Sequence, residues 1–239
     1  MKKWIPNILT LGNAACGFLA LFFIFNEGKV STACWLMLLA AVFDVFDGLV
    51  ARALKVDGDL GTQLDSLADV ISFGVAPSAL LWLLLEFANA LPIFKFGIPM
   101  LMVGMSVLRL ARFNLDTEQT YHFKGLPTPA NALFWMGMAS LATAPHVPAG
   151  LFSLAHQPVL LAILGLIFSV LLNVDTPLLS LKFKDYSFGN NVAKYLLIIS
   201  GFILLSSGVA FFGNVFVLLP FLLLLYLILS VVNLLIQKT

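Results

Sequence analysis

The sequence predicts an all-α, polytopic membrane bundle of about eight transmembrane helices with both termini cytoplasmic. Three observations carry this. Hydrophobic residues make up 61% of the 239 and charged residues only 10%, against about 25% charged in a soluble domain. That leaves too little polar surface to cover a water-soluble globule, so lipid is the expected solvent. The apolar residues lie in unbroken runs of about 17–25, long enough for helical spans and unlike the alternating strands of a barrel. Finally, the basic residues sort to one side of the spans these runs define.

Taken in order, the first span is expected over residues 7–26. Lys2, Lys3 and the interfacial Trp4 precede it, and Asn7, Thr10 and Asn13 make its start polar. Lys2-Lys3 followed by Ala14-Ala15-Cys16-Gly17 has a faint likeness to a lipoprotein leader. The polar interruptions, and an apolar run that continues to Phe25, favour a resident helix instead. The second and third spans, 31–54 and 62–86, are joined by the short turn Val56-Asp57-Gly58-Asp59-Leu60-Gly61, so they run antiparallel as neighbours. Gly74 and Pro77 interrupt the third, where a kink is expected. The fourth, 92–114, ends on Arg109, Arg112 and Asn114. The others fall at 127–145, 158–174, 191–211 and 215–236, and the Phe-rich later helices are expected to face lipid or a second copy.

With the N-terminus inside, eleven basic residues (Lys2, Lys3, Arg52, Lys55, Arg109, Arg112, Lys124, Lys182, Lys184, Lys194 and Lys238) lie inside and two, Lys29 and Lys95, outside. Dropping one span would carry later basic loops across, so the bias supports the even count. The formal net charge is +1, and no nucleic-acid partner is expected. Cys16 and Cys34 sit in apolar runs and read as buried thiols, with no metal-ligand spacing. His122, His146 and His156 fall in or near loops and carry no expected ligand role.

The chemistry is expected at the carboxylates. Of twelve Asp and Glu, eight fall at helix ends or in loops, and four, Asp44, Asp47, Asp65 and Asp69, lie within the second and third spans. A carboxylate at a helix centre costs roughly 2.5–3.5 kcal/mol on insertion scales, so four together need a shared partner. Asp44 and Asp47 are three apart, and Asp65 and Asp69 four apart; each pair shares a face. Asp47 lies about seven residues before the end of its helix and Asp65 about three into the next, so at about 1.5 Å per residue the pairs reach comparable depth. Two divalent ions would neutralise four carboxylates, and all-oxygen ligation suits Mg²⁺ or Mn²⁺. A transporter relaying protons through the same carboxylates is the alternative at this point. Gly48 and Ala51 follow Asp44 and Asp47 at four-residue steps, leaving a face almost bare of side chains, and Arg52 completes it. Small residues permit either close helix packing or close approach of a ligand. Together with an arginine and a metal cluster they suit a phosphate-containing substrate.

These residues read Asp44-x2-Asp47-Gly48-x2-Ala51-Arg52-x8-Gly61-x3-Asp65-x3-Asp69. The pattern resembles the full signature of the CDP-alcohol phosphotransferase family, with no departure at a fixed position. At average residue usage such a match arises by chance in fewer than about one in a million starts. A transporter has no reason to require Gly48, Ala51, Arg52 and Gly61 at those spacings. The resemblance covers roughly the first six helices, residues 1–175, and residues 176–239 look like two additional helices on a single membrane domain. It implies transfer of a substituted phosphoryl group from a CDP-linked lipid or alcohol to a hydroxyl, with release of CMP. It further implies that Asp44, Asp47 and Asp65 hold metal, that Asp69 is metal ligand, general base or both, and that Gly48, Ala51, Arg52 and Gly61 line the CDP pocket. A homodimer is expected on the same ground.

Three flanking stretches, Asp65-Ser66-Leu67-Ala68-Asp69-Val70-Ile71-Ser72-Phe73-Gly74-Val75-Ala76-Pro77, Arg109-Leu110-Ala111-Arg112-Phe113-Asn114 and Gly125-Leu126-Pro127-Thr128-Pro129-Ala130-Asn131, resemble the membrane-type serine-accepting branch, as does the opening Ile5 to Asn13. The implied substrates are CDP-diacylglycerol and L-serine, in the cytoplasmic membrane with the site facing the cytoplasm. A glycerol phosphate or inositol phosphate acceptor, or an ether-lipid donor, remains the alternative. The serine carboxylate would need cations, for which Arg109 and Arg112, with Asn114 and Lys124, are the candidates; membrane anchoring or lipid phosphate binding would explain the same arginines. Asn7, Thr10 and Asn13, at three-residue steps, could bond the nucleotide or simply bond across helices.

Overall fold

A computed structural model describes residues 4–26, 29–56, 58–115, 125–176, 178–179 and 191–238, and among these there is no strand. The helices are α1 (Trp4–Ile24), α2 (Val30–Leu54), α3 (Asp59–Asp69), a π segment (Val70–Val75), α4 (Ala76–Phe87), α5 (Pro92–Leu115), α6 (Thr128–Thr143), α7 (Ala149–Ala155), α8 (Pro158–Leu171), α9 (Val192–Phe212) and α10 (Leu219–Lys238). Each of the eight expected segments overlaps helix, but the third is divided among α3, the π segment and α4, and α7 lies between two expected segments. By length and apolarity five stretches, α1, α2, the continuous Asp59–Phe87, α5 and α9, can cross a bilayer; α7 and α8, bent by 61° at their junction, reach that length only when counted together. α6 has 16 residues and the apolar part of α10 is Leu219–Leu235, both short of that measure. The chain is an integral membrane protein.

The turn that positions the carboxylates is built from the C-terminus of α2. Lys55 takes a left-handed backbone (φ 53°, ψ 48°), its N–H bonds the Arg52 carbonyl, and the Val56 N–H bonds the Ala51 carbonyl. These bonds satisfy carbonyls that the helix end would otherwise orphan, and they stop the helix. Gly58 then enters α3 from extended backbone, and α3 packs chiefly on α1. α1 lies along α2 and also contacts α3 and the π segment.

The expected kink in the third span takes the form of a π turn. Pro77 lies in the first turn of α4; it cannot donate a backbone hydrogen bond and its ring crowds the turn before it. The widened turn at 70–75 absorbs this without breaking the span, directly after Asp69. Here the packing is close. A Cβ on Gly17 of α1 would come within 2.8 Å of Ser72 Cα, and one on Gly74 within 3.2 Å of Ser106 Cβ on α5.

α6 is buried around most of its circumference, the mark of a core helix rather than a lipid-facing one. α4, α2 and the π segment pack on it, and the rings of Phe134 and Phe168 stack at 3.9 Å. α10 closes its far side at Gly137, where a Cβ would meet Pro220 Cγ at 2.7 Å. α9 packs against α10 and leaves Phe202 and Phe211 largely exposed, as suits a lipid-facing helix.

Candidate active site

α2 and α3 bring three of the four aspartates together. Asp44, Asp47 and Asp65 each offer a carboxylate oxygen, and the three atoms lie within 4.8 Å of one another. Asp47 is buried, Asp44 and Asp65 half-buried. Asp65 Oδ1 is buried and has no hydrogen-bond partner among the described residues. A carboxylate oxygen so placed beside two further carboxylates lacks a positive partner. Hard oxygen donors in this arrangement fit a divalent cation such as Mg²⁺ or Mn²⁺. Asp69, one turn further along α3 and also buried, stands outside this triplet.

α1 supplies the second set of contacts. Thr10 Oγ1 donates to Asp47 Oδ2 at 2.6 Å. Asn13 Nδ2 donates to Asp69 Oδ1 at 3.1 Å. Thus each helix bearing aspartates has one of them tied to α1. Such outer bonds fix the direction in which a ligating carboxylate points.

Beside the cluster is an open pocket lined by Pro6, Asn7 and Thr10 of α1, Asp47, Gly48 and Ala51 of α2, Val56 and Gly58 of the turn, and Gly61, Thr62 and Asp65 of α3. Its wall is poor in side chains at Gly48, Ala51 and Gly61, so a ligand can approach backbone. The guanidinium of Arg52 stands over Gly48, with Nη1 3.4 Å from where a Cβ would be, and Asn7 Oδ1 lies 3.8 Å from the corresponding point at Gly61. An arginine and a bare wall beside carboxylates suited to a divalent cation could together take a phosphate-containing ligand.

The residues suggested for serine separate. Arg109 is buried in the bundle and donates through Nη1 to the Leu172 carbonyl at the end of α8, 2.9 Å away. Arg112 is exposed. Asn114 Nδ2 donates to Ser66 Oγ at 2.8 Å, joining the end of α5 to the residue after Asp65. Lys124 lies outside the described residues. Asn13 is absent from the pocket wall and faces Asp69 instead, whereas Asn7 and Thr10 do line it.

Sequence reasoning assigned no role to Ser66 or Ser72, although both stand in the quoted stretch after Asp65. Ser72 Oγ donates to the Asn13 carbonyl at 3.0 Å. The available signal was a serine three residues from Asp69 on either side, where a hydroxyl needs a partner.

The sequence model of a family described as CDP-alcohol phosphatidyltransferase matches residues 3–172. Among curated proteins, the chain is 39% identical over 132 residues to an archaetidylserine synthase of Methanothermobacter thermautotrophicus, covering 54% of each chain. It is 36% identical over 135 residues to a CDP-diacylglycerol–serine O-phosphatidyltransferase of Helicobacter pylori, again 54% of each. A Bacillus subtilis protein of the same name is 33% identical over 165 residues, 67% of this chain and 81% of that one. The chain thus spans about half the length of the first two relatives.

Proposed function

The chain belongs to the CDP-alcohol phosphatidyltransferase family, and from that premise we propose that it is a CDP-diacylglycerol–serine O-phosphatidyltransferase. The observation that carries this reading is the meeting of Asp44, Asp47 and Asp65 at the edge of a pocket walled by Gly48, Ala51 and Gly61. Relatives named for transfer to serine support the acceptor.

The pocket takes the CDP end of the lipid, with the pyrophosphate toward Arg52 and the aspartates. Asp44, Asp47 and Asp65, with Asp69, would hold Mg²⁺ or Mn²⁺, as two ions. A metal bound there would neutralise the pyrophosphate and stabilise charge that develops during transfer. The serine hydroxyl is a weak nucleophile at neutral pH and needs a base within hydrogen-bond reach. Asp69 takes the hydroxyl proton while the serine oxygen bonds the lipid-proximal phosphorus. The bond from that phosphorus to the oxygen bridging it to CMP breaks, and CMP leaves with the electron pair. Arg112, Asn114 and Lys124 are the candidates to hold the serine carboxylate, and Arg109 braces the end of α5 against the end of α8. Arg52 and Lys55, basic residues at the α2–α3 end of the site, support a site that faces the cytoplasm, the side on which basic residues collect. A homodimer is the expected assembly, checked by mass measurement in nanodiscs.

The direct test is CMP release from CDP-diacylglycerol by purified protein with labelled L-serine and Mg²⁺ or Mn²⁺. Turnover with glycerol 3-phosphate or inositol phosphate and none with serine removes the serine assignment and keeps the family. The archaetidylserine synthase relative favours adding an arm with an ether-linked CDP lipid as donor; exclusive use of that donor reassigns the lipid.

A further inference from the structure

Among the described residues two asparagines are fully buried, at 0% exposure, and they differ in how they are bonded. Asn131, at the start of α6, uses both ends of its amide: Nδ2 reaches Met102 Sδ and Oδ1 accepts from Trp135 Nε1. It is a satisfied core residue. Asn13 gives its Nδ2 to Asp69 Oδ1, and its Oδ1 has no partner among the described residues. A buried amide carbonyl left without a donor is costly, and such an exception in a core calls for a cause.

The backbone around Asn13 is held in place. Its carbonyl accepts from Ser72 Oγ at 3.0 Å, and one turn on, Gly17 lets α1 touch the π segment at Ser72. The π segment begins immediately after Asp69. Hence α1 and the π turn fix the two partners of the Asn13–Asp69 bond relative to each other. The nucleotide pocket ends on α1 at Thr10, one turn short of Asn13.

We propose that Asn13 is a positioning residue for Asp69, acting on the acceptor-alcohol side of the reaction and not in nucleotide binding. Its amide N–H aims the Asp69 carboxylate, and its Oδ1 accepts from a donor of the seated acceptor other than the hydroxyl proton that Asp69 takes, the ammonium group where the acceptor is serine. This rests on the proposed phosphatidyl transfer with Asp69 as base.

The test is a cycle of Asn13→Ala, Asp69→Asn and the double variant in purified protein, read as kcat, KM for serine and CMP affinity measured by calorimetry. Asn13→Ala should lower kcat by about 10–100-fold, the usual scale for an outer partner of a functional carboxylate, and raise the serine KM. CMP affinity should stay within about twofold. The double variant should lose no more kcat than Asp69→Asn alone, because residues that act as a unit are non-additive. The near-isosteric Asn13→Asp, which keeps the volume and replaces the donor with an acceptor, should be at least as impaired as Asn13→Ala. Full kcat in Asn13→Asp overturns the proposal. So does a tenfold loss of CMP affinity with kcat intact, or a double variant whose loss is the product of the two singles. If the wild type transfers to an alcohol other than serine, the acceptor reading fails, and the same cycle run with that alcohol decides the role of Asn13.

Discussion

The aspartates and the arginines look alike in the sequence: polar residues three or four apart near the ends of apolar runs. In the folded chain they part company. Asp44, Asp47 and Asp65 converge within 4.8 Å, while Arg109 turns into the bundle to the Leu172 carbonyl and Arg112 stays exposed. The aspartates sit on two helices joined by a short turn, so local geometry almost obliges them to meet. Where Arg109 points depends on α8, which is 63 residues away in sequence. Short-range spacing foretells a site only where the connection is short as well.

The largest effect that tests this contrast is expected at the aspartates. Asp69→Asn should lower kcat by about 10²–10⁴-fold, the range for loss of a general base, with Tm close to wild type. Asp65→Asn should also weaken Mn²⁺ binding, read by EPR of the bound ion in the absence of substrate. Unchanged Mn²⁺ affinity would break the assignment of Asp65 as a ligand.

Next come the arginines, which should respond differently. Arg109→Ala leaves a buried carbonyl without its charged donor, worth about 1.5–3 kcal/mol, so thermal unfolding should move down. Arg112→Ala should leave Tm alone and raise the serine KM by about 10- to 150-fold, the scale of one charge-assisted contact of about 1.5–3 kcal/mol. If both variants change only the serine KM, the contrast collapses and both arginines belong to the substrate.

A smaller change is expected for Gly48→Ala. The added methyl meets only the flexible end of Arg52, at 3.4 Å, so the fold should hold while the KM for the CDP lipid rises severalfold. The smallest effect belongs to Ser66→Ala, which removes the hydroxyl bonded to Asn114 and should cost about 1 kcal/mol, visible in Tm with little change in kcat.

Asn7, Thr10 and Asn13 show where legibility stopped. Three-residue steps look like one face, yet each step falls about 60° short of a full turn. Over two steps the direction drifts by about 120° and the depth by about 9 Å. Residues so arranged do not all address one ligand. Asn7 and Thr10 line the pocket, Thr10 also holds Asp47, and Asn13 reaches Asp69. The Gly74–Pro77 interruption was legible as a disturbance, but not as a π turn that keeps the span continuous, because that depends on α1 and α5 closing around Ser72 and Gly74.

By itself the sequence determined the helical class, the approximate positions of the long apolar helices, and the pairing of Asp44 and Asp47 with Asp65. The physical reasons are local: apolar length against bilayer thickness, helical periodicity and a short turn. Only the tertiary structure decided which α1 side chain reaches which aspartate, that Asp69 stands apart from the triplet, and that Arg109 faces a carbonyl. Those outcomes depend on the rotation and depth of helices packed against each other, set by the small-residue contacts at Gly17, Gly74 and Gly137, and no single helix carries that information.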